Sequence, residues 1–536
     1  MRKLGTLLFL LLSFCSFAQE DAWVYFTDKP DEVYYTNNPL EMLSQRALDR
    51  RTTQNIALDI KDIPISQTYI NQIAATSGIT IMAKSKWLNA LHIRGTQFNI
   101  QSLEALNFVD HIQFANHSLN PSTRNDNPSS SNRNNEEFEI MTNFNYGNSN
   151  NQIQMLNGHL LHQQDYTGQG KVIAILDAGF PGVDTASSFQ RLRDNNLILG
   201  GYNFPDRNTN FYTRYSHGTN VLSTMGGFVD GQLVGTAPDA EYYLFITEDT
   251  TSENPVEESY WVEALEMADS LGVDVINSSL GYTDYDNSNY SYSYSQRNGQ
   301  IGFASRGASI ALSKGIVCVV SAGNDGNTSE KHISIPADAD NILTIGAVTN
   351  TEAYASFSSI GPSFDGRVKP DVCAKGQSAT ISNTVGTITT ASGTSFSSPI
   401  LAGMVASFWS ALPNLTASEV IQYVKQSADQ YNNPDIFKGY GVPDFQLALN
   451  NALNIESFPN IEIVLYPNPV KKELFIKLNN SSNGEFNLYN NLGQKVLQVS
   501  VFQNQQNISL EHLSSGIYIY DFSTNNTNLQ GKLIKQ

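Results

Sequence analysis

Three short segments of this 536-residue chain carry the residue types that acyl transfer through a serine requires. Gly393-Thr394-Ser395-Phe396-Ser397-Ser398-Pro399 presents a serine after a glycine turn, at the head of the small-and-apolar run Ile400–Phe408. That run reads as a buried helix, so the Ser395 hydroxyl sits at the positive end of a helix dipole with free backbone N–H groups beside it. Such a setting suits a nucleophile whose attack creates an oxyanion, and by itself it equally suits a helix cap. Upstream, Lys171–Asp177 is an unbroken apolar strand ending on an acid, as in a buried parallel sheet. Ser216-His217-Gly218-Thr219-Asn220-Val221 opens a helix-like run with a histidine. Singly, Asp177 reads as a turn cap and His217 as a structural histidine. Together they supply an imidazole to take the serine proton and a carboxylate to fix the tautomer and stabilise the imidazolium.

The chain order is acid, base, nucleophile. With Asp177-Ala178-Gly179, His217-Gly218-Thr219-Asn220-Val221 and Gly393–Pro399 in that order, residues 150–452 resemble the subtilisin-like (subtilase) serine peptidases. The resemblance implies an α/β fold of three layers around a mainly parallel sheet, and a serine-type endopeptidase acting on protein or peptide substrates. It implies Asn324, at the end of Gly315–Asn324, as an oxyanion-hole donor beside the backbone N–H of Ser395. It makes Ser279, Leu280 and Gly281 a cleft edge that pairs with extended substrate, and Ser321, Ala322 and Gly323 the other wall of the pocket nearest the scissile bond. Gly235–Pro238, Lys369–Ala374 and Gly439–Asp444 resemble framework motifs of the family. Two departures stand out: Lys375 where a proline is usual, and the Tyr/Asn/Asp/Ser-rich stretch Tyr282–Asn298, which reads as an insertion beside the cleft. No cofactor is expected for the chemistry. Structural calcium is common in such relatives, but Asp284-Tyr285-Asp286 lacks the glycine and closing glutamate of an EF-hand, so no ligands are assigned.

Other readings fit less well. The chain has no His-Glu-x-x-His helix for a metallopeptidase. An α/β-hydrolase esterase would place its histidine last, whereas here Ser395 follows His217. The alternative from another class is a catalytically silent surface or adhesion protein that keeps the fold as a scaffold.

A formal net charge of −19 argues against nucleic acid or an anionic membrane surface as partner. Residues 1–18 combine a basic start, a short apolar run and small residues at Ser16 and Ala18, the pattern of a secretory signal peptide; Phe14 disfavours a lipoprotein reading through Cys15. Cys318 and Cys373 then remain, in apolar contexts where they serve as small core residues. No further membrane span is evident, and a monomer is expected.

Residues 19–145 read as a prosegment and linker, 146–454 as the peptidase domain and 460–536 as a C-terminal module. The first mixes alternating stretches (Trp23–Phe26, Ile79–Met82) with the helix-like Ile65–Ala75. Its segments Ser44–Arg51 and Ser85–Ala90 resemble the propeptide of bacterial subtilases. A small domain that adds strands to the cleft would block it and template folding of a complex sheet; a permanently attached accessory domain is the alternative. Ser118–Asn151, rich in Asn, Ser, Arg and Glu, reads as an exposed linker where activation cleavage would fall. In the tail, the alternating runs Ile461–Leu465, Leu474–Leu478, Phe486–Tyr489, Lys495–Val499 and Ile517–Tyr520 predict a small β-sandwich. Tyr466–Pro469, Asn491–Gln494, Leu513–Tyr518 and Gly531–Gln536 resemble the C-terminal sorting domain of the type IX secretion system. That implies the type IX machinery as a partner and a secreted or outer-surface location. A carbohydrate-binding sandwich is the runner-up for this module.

Overall fold

A computed structural model describes residues 19–120, 144–453, 463–478, 484–490, 492–501, 505–523 and 528–536. The signal-peptide reading and most of the linker lie outside the described residues. Two compact units are present, Met1–Asn454 and Ile455–Gln536.

The first unit opens with a four-stranded antiparallel sheet: β1 (Gln19–Phe26), β2 (Ile79–Ser85), β3 (Ala90–Thr96) and β4 (Val109–Phe114), in the order β2-β3-β1-β4. Helix α1 (Gln45–Thr53) begins at Ser44, whose hydroxyl accepts the Ala47 N–H. Seven parallel strands follow: β5 (Val172–Asp177), β6 (Ile198–Asn203), β7 (Glu241–Ile246), β8 (Val275–Ser278), β9 (Val317–Ser321), β10 (Leu343–Val348) and β11 (Val372–Lys375). Their order is β11-β10-β9-β8-β5-β7-β6, so the winding reverses between β5 and β8. Clefts form at the carboxyl ends of parallel strands where such a reversal occurs.

The unbroken apolar runs follow from burial on both faces. Ile173 and Ile175 of β5 enter one core with Val221 and Met225 of α2 (His217–Gly226) and Leu401 and Met404 of α5 (Thr394–Ala411); between these helices in sequence lie α3 (Val256–Leu271) and α4 (Phe303–Ala311). Val172, Ala174 and Leu176 enter the opposite core with Trp261 and Leu265 of α3 and Phe303 and Ala308 of α4. Cys318 and Cys373 are free and buried in β9 and β11, and burial pushes the Cys318 thiol up to about 12.

The N-terminal sheet packs on α3 and α4. Trp23, Tyr25 and Trp87 join the core that holds Trp261 and Phe303. The polar contacts concentrate on α3. Trp23 Nε1 donates to Ser259 Oγ at 2.8 Å. Glu266 accepts from Ser85 Oγ and from the Lys86 and Trp87 N–H groups at 2.6, 2.8 and 2.9 Å. Asp269, fully buried, accepts from Arg50 at 2.5 Å and Arg51 at 2.9 Å. Burial would raise the Asp269 pKa, but Arg50, Lys86 and Arg51 outweigh it and hold the carboxyl below the usual range. Contrary to the sequence reading, this sheet adds no strand to the cleft. Its face is spent on the apolar surface of α3 and α4, and none of its described residues lines the pocket beside Ser395.

One further stretch differs from its sequence reading. Residues 144–151, expected to be exposed linker, include buried Tyr146, which packs with Ile153 and Val234 and bonds His162 Nδ1 at 3.0 Å. The Tyr282–Asn298 insertion is anchored by its aromatic residues. Tyr285 and Tyr292 both donate to Glu258 Oε1, at 2.7 and 2.8 Å, and Tyr282 donates to Glu248 at 2.8 Å.

The second unit has a three-stranded and a four-stranded antiparallel sheet. Its strands are β12 (Ile463–Tyr466), β13 (Glu473–Leu478), β14 (Gly484–Tyr489), β15 (Lys495–Val501), β16 (Gln505–Ser509), β17 (Gly516–Ser523) and β18 (Asn528–Lys535). The orders are β12-β13-β16 and β15-β14-β17-β18, around Val470, Leu474, Ile476, Phe486, Leu488 and Phe522. The sequence reading missed β16 and β18. Both are edge strands of polar composition, which hides the alternation that reveals an inner strand. Among the described residues no helix is long and apolar enough to cross a membrane.

Asp269 is the ion-pair partner of Arg50 and, with Asp62 at 2.7 Å, of Arg51, and removing one partner of a buried ion pair costs about 3–5 kcal/mol. Added in trans, the N-terminal segment should therefore bind the rest of the chain ~10²-fold or more less tightly when Asp269 is replaced by Ala than in wild type, measured as a dissociation constant. Equal affinity would show that the ion network does not hold the segment in place.

Candidate active site

The carboxyl edge of the sheet gathers the sequence-predicted residues. Asp177 ends β5 and has no exposed surface. Its Oδ1 accepts the Ala178 N–H at 2.7 Å and lies 2.8 Å from His217 Nδ1; its Oδ2 has no hydrogen-bond partner. His217 starts α2, and its side chain is a quarter exposed. The approach of α2 to β5 depends on Gly218, where a Cβ would stand 2.5 Å from the Gly179 carbonyl oxygen and 2.6 Å from the Phe180 ring. Burial works to lower the His217 pKa, but the charge and hydrogen bond of Asp177, with Glu248 adding, more than offset it. The imidazole therefore keeps its proton to higher pH than an ordinary histidine.

Ser395 lies in the first turn of α5, behind Gly393, whose backbone (φ 154°, ψ 155°) is one that essentially only glycine adopts. Its Oγ makes a long 3.4 Å hydrogen bond to the Ser279 carbonyl, and Ser279 Oγ donates back to the Ser395 carbonyl at 2.9 Å. Among the described residues no hydrogen bond joins Ser395 to His217. The two segments do meet, since the His217 ring lies 6.1 Å from that of Phe396. Asn324, exposed after β9, has its carbonyl end fixed: Oδ1 accepts from the Thr394 N–H at 2.9 Å and from Thr394 Oγ1 at 3.1 Å. That leaves Nδ2 as its free end. A Cβ on Gly393 would stand 3.7 Å from both Asn324 Nδ2 and the Ser395 N, so glycine keeps the space before these two donors open.

Beside Ser395 is a pocket of about 370 Å³. Of the predicted walls, Ser279, Leu280, Gly281, Ser321 and Gly323 line it; Ala322 does not, being buried beneath. Glu253, Thr283, Asp284, Asp325 and Ser334 line it too, and sequence reasoning missed them. They come from separate loops, and only the insertion beside the cleft hinted at part of the set. No group of three or more His, Cys, Asp or Glu placed to hold a metal ion occurs among the described residues.

The arrangement can deliver an activated hydroxyl, a proton acceptor with a fixed tautomer, and two N–H donors to one carbonyl. In a Ser395→Ala protein, His217 should titrate above the ordinary imidazole range by NMR. Replacing Asp177 by Asn should move that titration down, because burial then loses its main opponent. A titration indifferent to Asp177 would contradict the coupling.

Comparison with known proteins matches the subtilase family over residues 168–442, a Bacteroidota peptidase S8 propeptide domain over 21–134, and a secretion system C-terminal sorting domain over 464–536. Subtilisin NAT of Bacillus subtilis subsp. natto is 30% identical over 301 residues, 55% of this chain and 70% of that protein. Serine protease AprX of Bacillus subtilis is 28% identical over 302 residues, 51% of this chain and 64% of that protein. The structure of MycP3 protease from the type VII (ESX-3) secretion system aligns at 20% identity and a TM-score of 0.46, covering 58% of this chain and 90% of that one. The sorting domain directs type IX secretion to the cell surface or extracellular space. The subtilase match spans just over half of the chain, which belongs to the subtilase family and is a serine-type endopeptidase with a propeptide and a C-terminal sorting domain.

Proposed function

We propose that the enzyme hydrolyses protein substrates through an acyl-enzyme on Ser395, with His217 as base, Asp177 as its orienting carboxylate, and Asn324 Nδ2 with the Ser395 N–H as the oxyanion hole. The observation that carries this reading is the 2.8 Å contact of His217 Nδ1 with buried Asp177, next to the segment that bears Ser395. With Nδ1–H committed to Asp177, Nε2 is left as the proton acceptor. Ser395 Oγ turns from its weak bond to the Ser279 carbonyl, attacks the scissile carbonyl carbon and gives its proton to Nε2. The oxyanion takes the two N–H donors. His217 then protonates the leaving amine, and water, activated by the same imidazole, attacks the ester to release the acid and restore Ser395. The scheme needs no cofactor. Substrate backbone pairs with Ser279–Gly281 as an added strand. The N-terminal unit, docked on α3 and α4, acts as a prosegment removed by cleavage in the linker, and the mature enzyme works as a monomer.

Secreted wild type should release peptides from casein and react with a fluorophosphonate, whereas Ser395→Ala should do neither. An inert wild type, with its prosegment demonstrably removed, would favour the silent-scaffold alternative. Asn324→Ala should lower kcat by ~10²–10³ with little change in KM, the loss that removing such a donor causes in subtilisin. The base must be neutral and its pKa is raised, so kcat/KM should fall with decreasing pH through a value above that of ordinary histidine. An acid limb at or below the ordinary value would argue against His217 as the base.

A further inference from the structure

We propose that the pocket beside Ser395 selects a lysine or arginine side chain immediately before the scissile bond; this names a substrate class for the peptidase reading above and rests on it. Three carboxylates line the pocket, Glu253, Asp284 and Asp325, and among the described residues none of them enters an ion pair or accepts a side-chain or backbone hydrogen bond. Arg297, the cation whose field reaches Asp325, is buried and forms no ion pair with it; its Nη2 donates to Glu330 at 2.9 Å and to the Tyr292 carbonyl at 3.2 Å, while its Nε and Nη1 have no hydrogen-bond partner. A second, independent sign is Ser334. Its side chain lines the same pocket, the residue is only 4% exposed, and its Oγ has no hydrogen-bond partner. Thr283 Oγ1, also on the lining, is likewise buried and unpartnered. Buried polar atoms are seldom left unpaired, so two of them in one pocket point to a polar occupant.

The charges agree. Burial, together with Asp284 and Glu330, raises the Asp325 pKa, and burial with Asp286 raises that of Glu253. The free pocket therefore holds mutually repelling carboxylates that a cation would relieve. The entrance suits the stem of such a side chain. Leu280 and the glycine backbone of Gly281 and Gly323 form its walls, and a Cβ at Gly281 would stand 2.5 Å from Ser334 Oγ. A Lys or Arg can lay its methylenes on these walls and carry its charged head to the acids. An aromatic or aliphatic side chain would desolvate the carboxylates without pairing them, and an acidic one would be repelled. A metal ion is the weaker candidate, since these carboxylates are not grouped to hold one.

The test uses mature enzyme from the full-length chain and fluorogenic peptides that differ only in the residue before the scissile bond: Lys, Arg, Leu, Phe or Glu. The expected kcat/KM is at least ~10-fold higher for Lys and Arg than for Leu and Phe, with Glu lowest, since one charge-assisted contact suffices for a decade. Asp284→Asn and Asp325→Asn should each lower the Lys-to-Leu ratio. A wild-type ratio in both variants would overturn the role of these carboxylates. Wild type that reacts with a fluorophosphonate yet cleaves after Leu or Phe as well as after Lys would overturn the proposal and leave the peptidase reading intact. Wild type that neither reacts nor cleaves any peptide would sink the peptidase reading and this inference with it.

Discussion

Asp177 is a carboxylate without exposed surface at the end of a central strand, and its contacts are a neighbouring backbone N–H and the imidazole of His217 at 2.8 Å. A buried charge so placed is costly unless paired, by several kcal/mol even after relaxation. The pairing dictates much around it. The first turn of α2 must approach the end of β5, which requires a residue without a side chain at Gly218. His217 must present Nδ1 to the sheet and Nε2 to the cleft. In the proposed mechanism the electrostatic balance that raises its pKa makes it a usable base, because the carboxylate stabilises the imidazolium formed as the proton arrives.

The parallel sheet explains why residues so far apart in sequence converge. Every strand of it ends on the same edge, so Asp177 after β5, Ser279–Gly281 after β8 and Asn324 after β9 need no special loops to meet. Helix α5 then brings its amino end to that edge, pinned by Ser279 and by the two hydrogen bonds of Thr394 to Asn324. The pinning serves two ends at once. It fixes the serine, and it orients the Asn324 amide so that its N–H₂ faces the same space as the Ser395 N–H. Meanwhile the outer helices α3 and α4 offer an apolar face with the carboxylates Glu266 and Asp269, and the N-terminal unit covers it. The propeptide and the cleft thus make opposite demands on one scaffold: a large docking surface away from the cleft, and an open edge within it.

Sequence made part of this legible. Asp177, His217 and Ser395 stand in local patterns with physical causes: an apolar strand ending on an acid, a histidine opening a helix, a glycine turn before a buried helix. Asn324 and the cleft walls followed from family resemblance, and Ala322 alone of those walls lies off the pocket surface. What stayed hidden depends on long-range pairing. Nothing local marks Arg51 as the partner of Asp269, 218 residues away. The sequence does not mark the tyrosines of the insertion as buried, because tyrosine is compatible with either environment, and only Glu258 reveals Tyr285 and Tyr292 as anchors. Nothing local marks Asp284 and Asp325 as members of one pocket, since a pocket built from several loops leaves no periodic trace. The N-terminal sheet was foreseen as a unit but set against the cleft, because its apolar strands could not say which surface they would cover.

The proposed catalysis requires that the acyl group pass through Ser395. The most direct measurement is mass spectrometry of mature enzyme mixed with p-nitrophenyl acetate and quenched in acid within the first turnover. An acetyl adduct confined to the peptide containing Gly393–Pro399, on Ser395, is the result predicted. Turnover of the ester with no adduct there, or with the adduct on another residue, would contradict the mechanism.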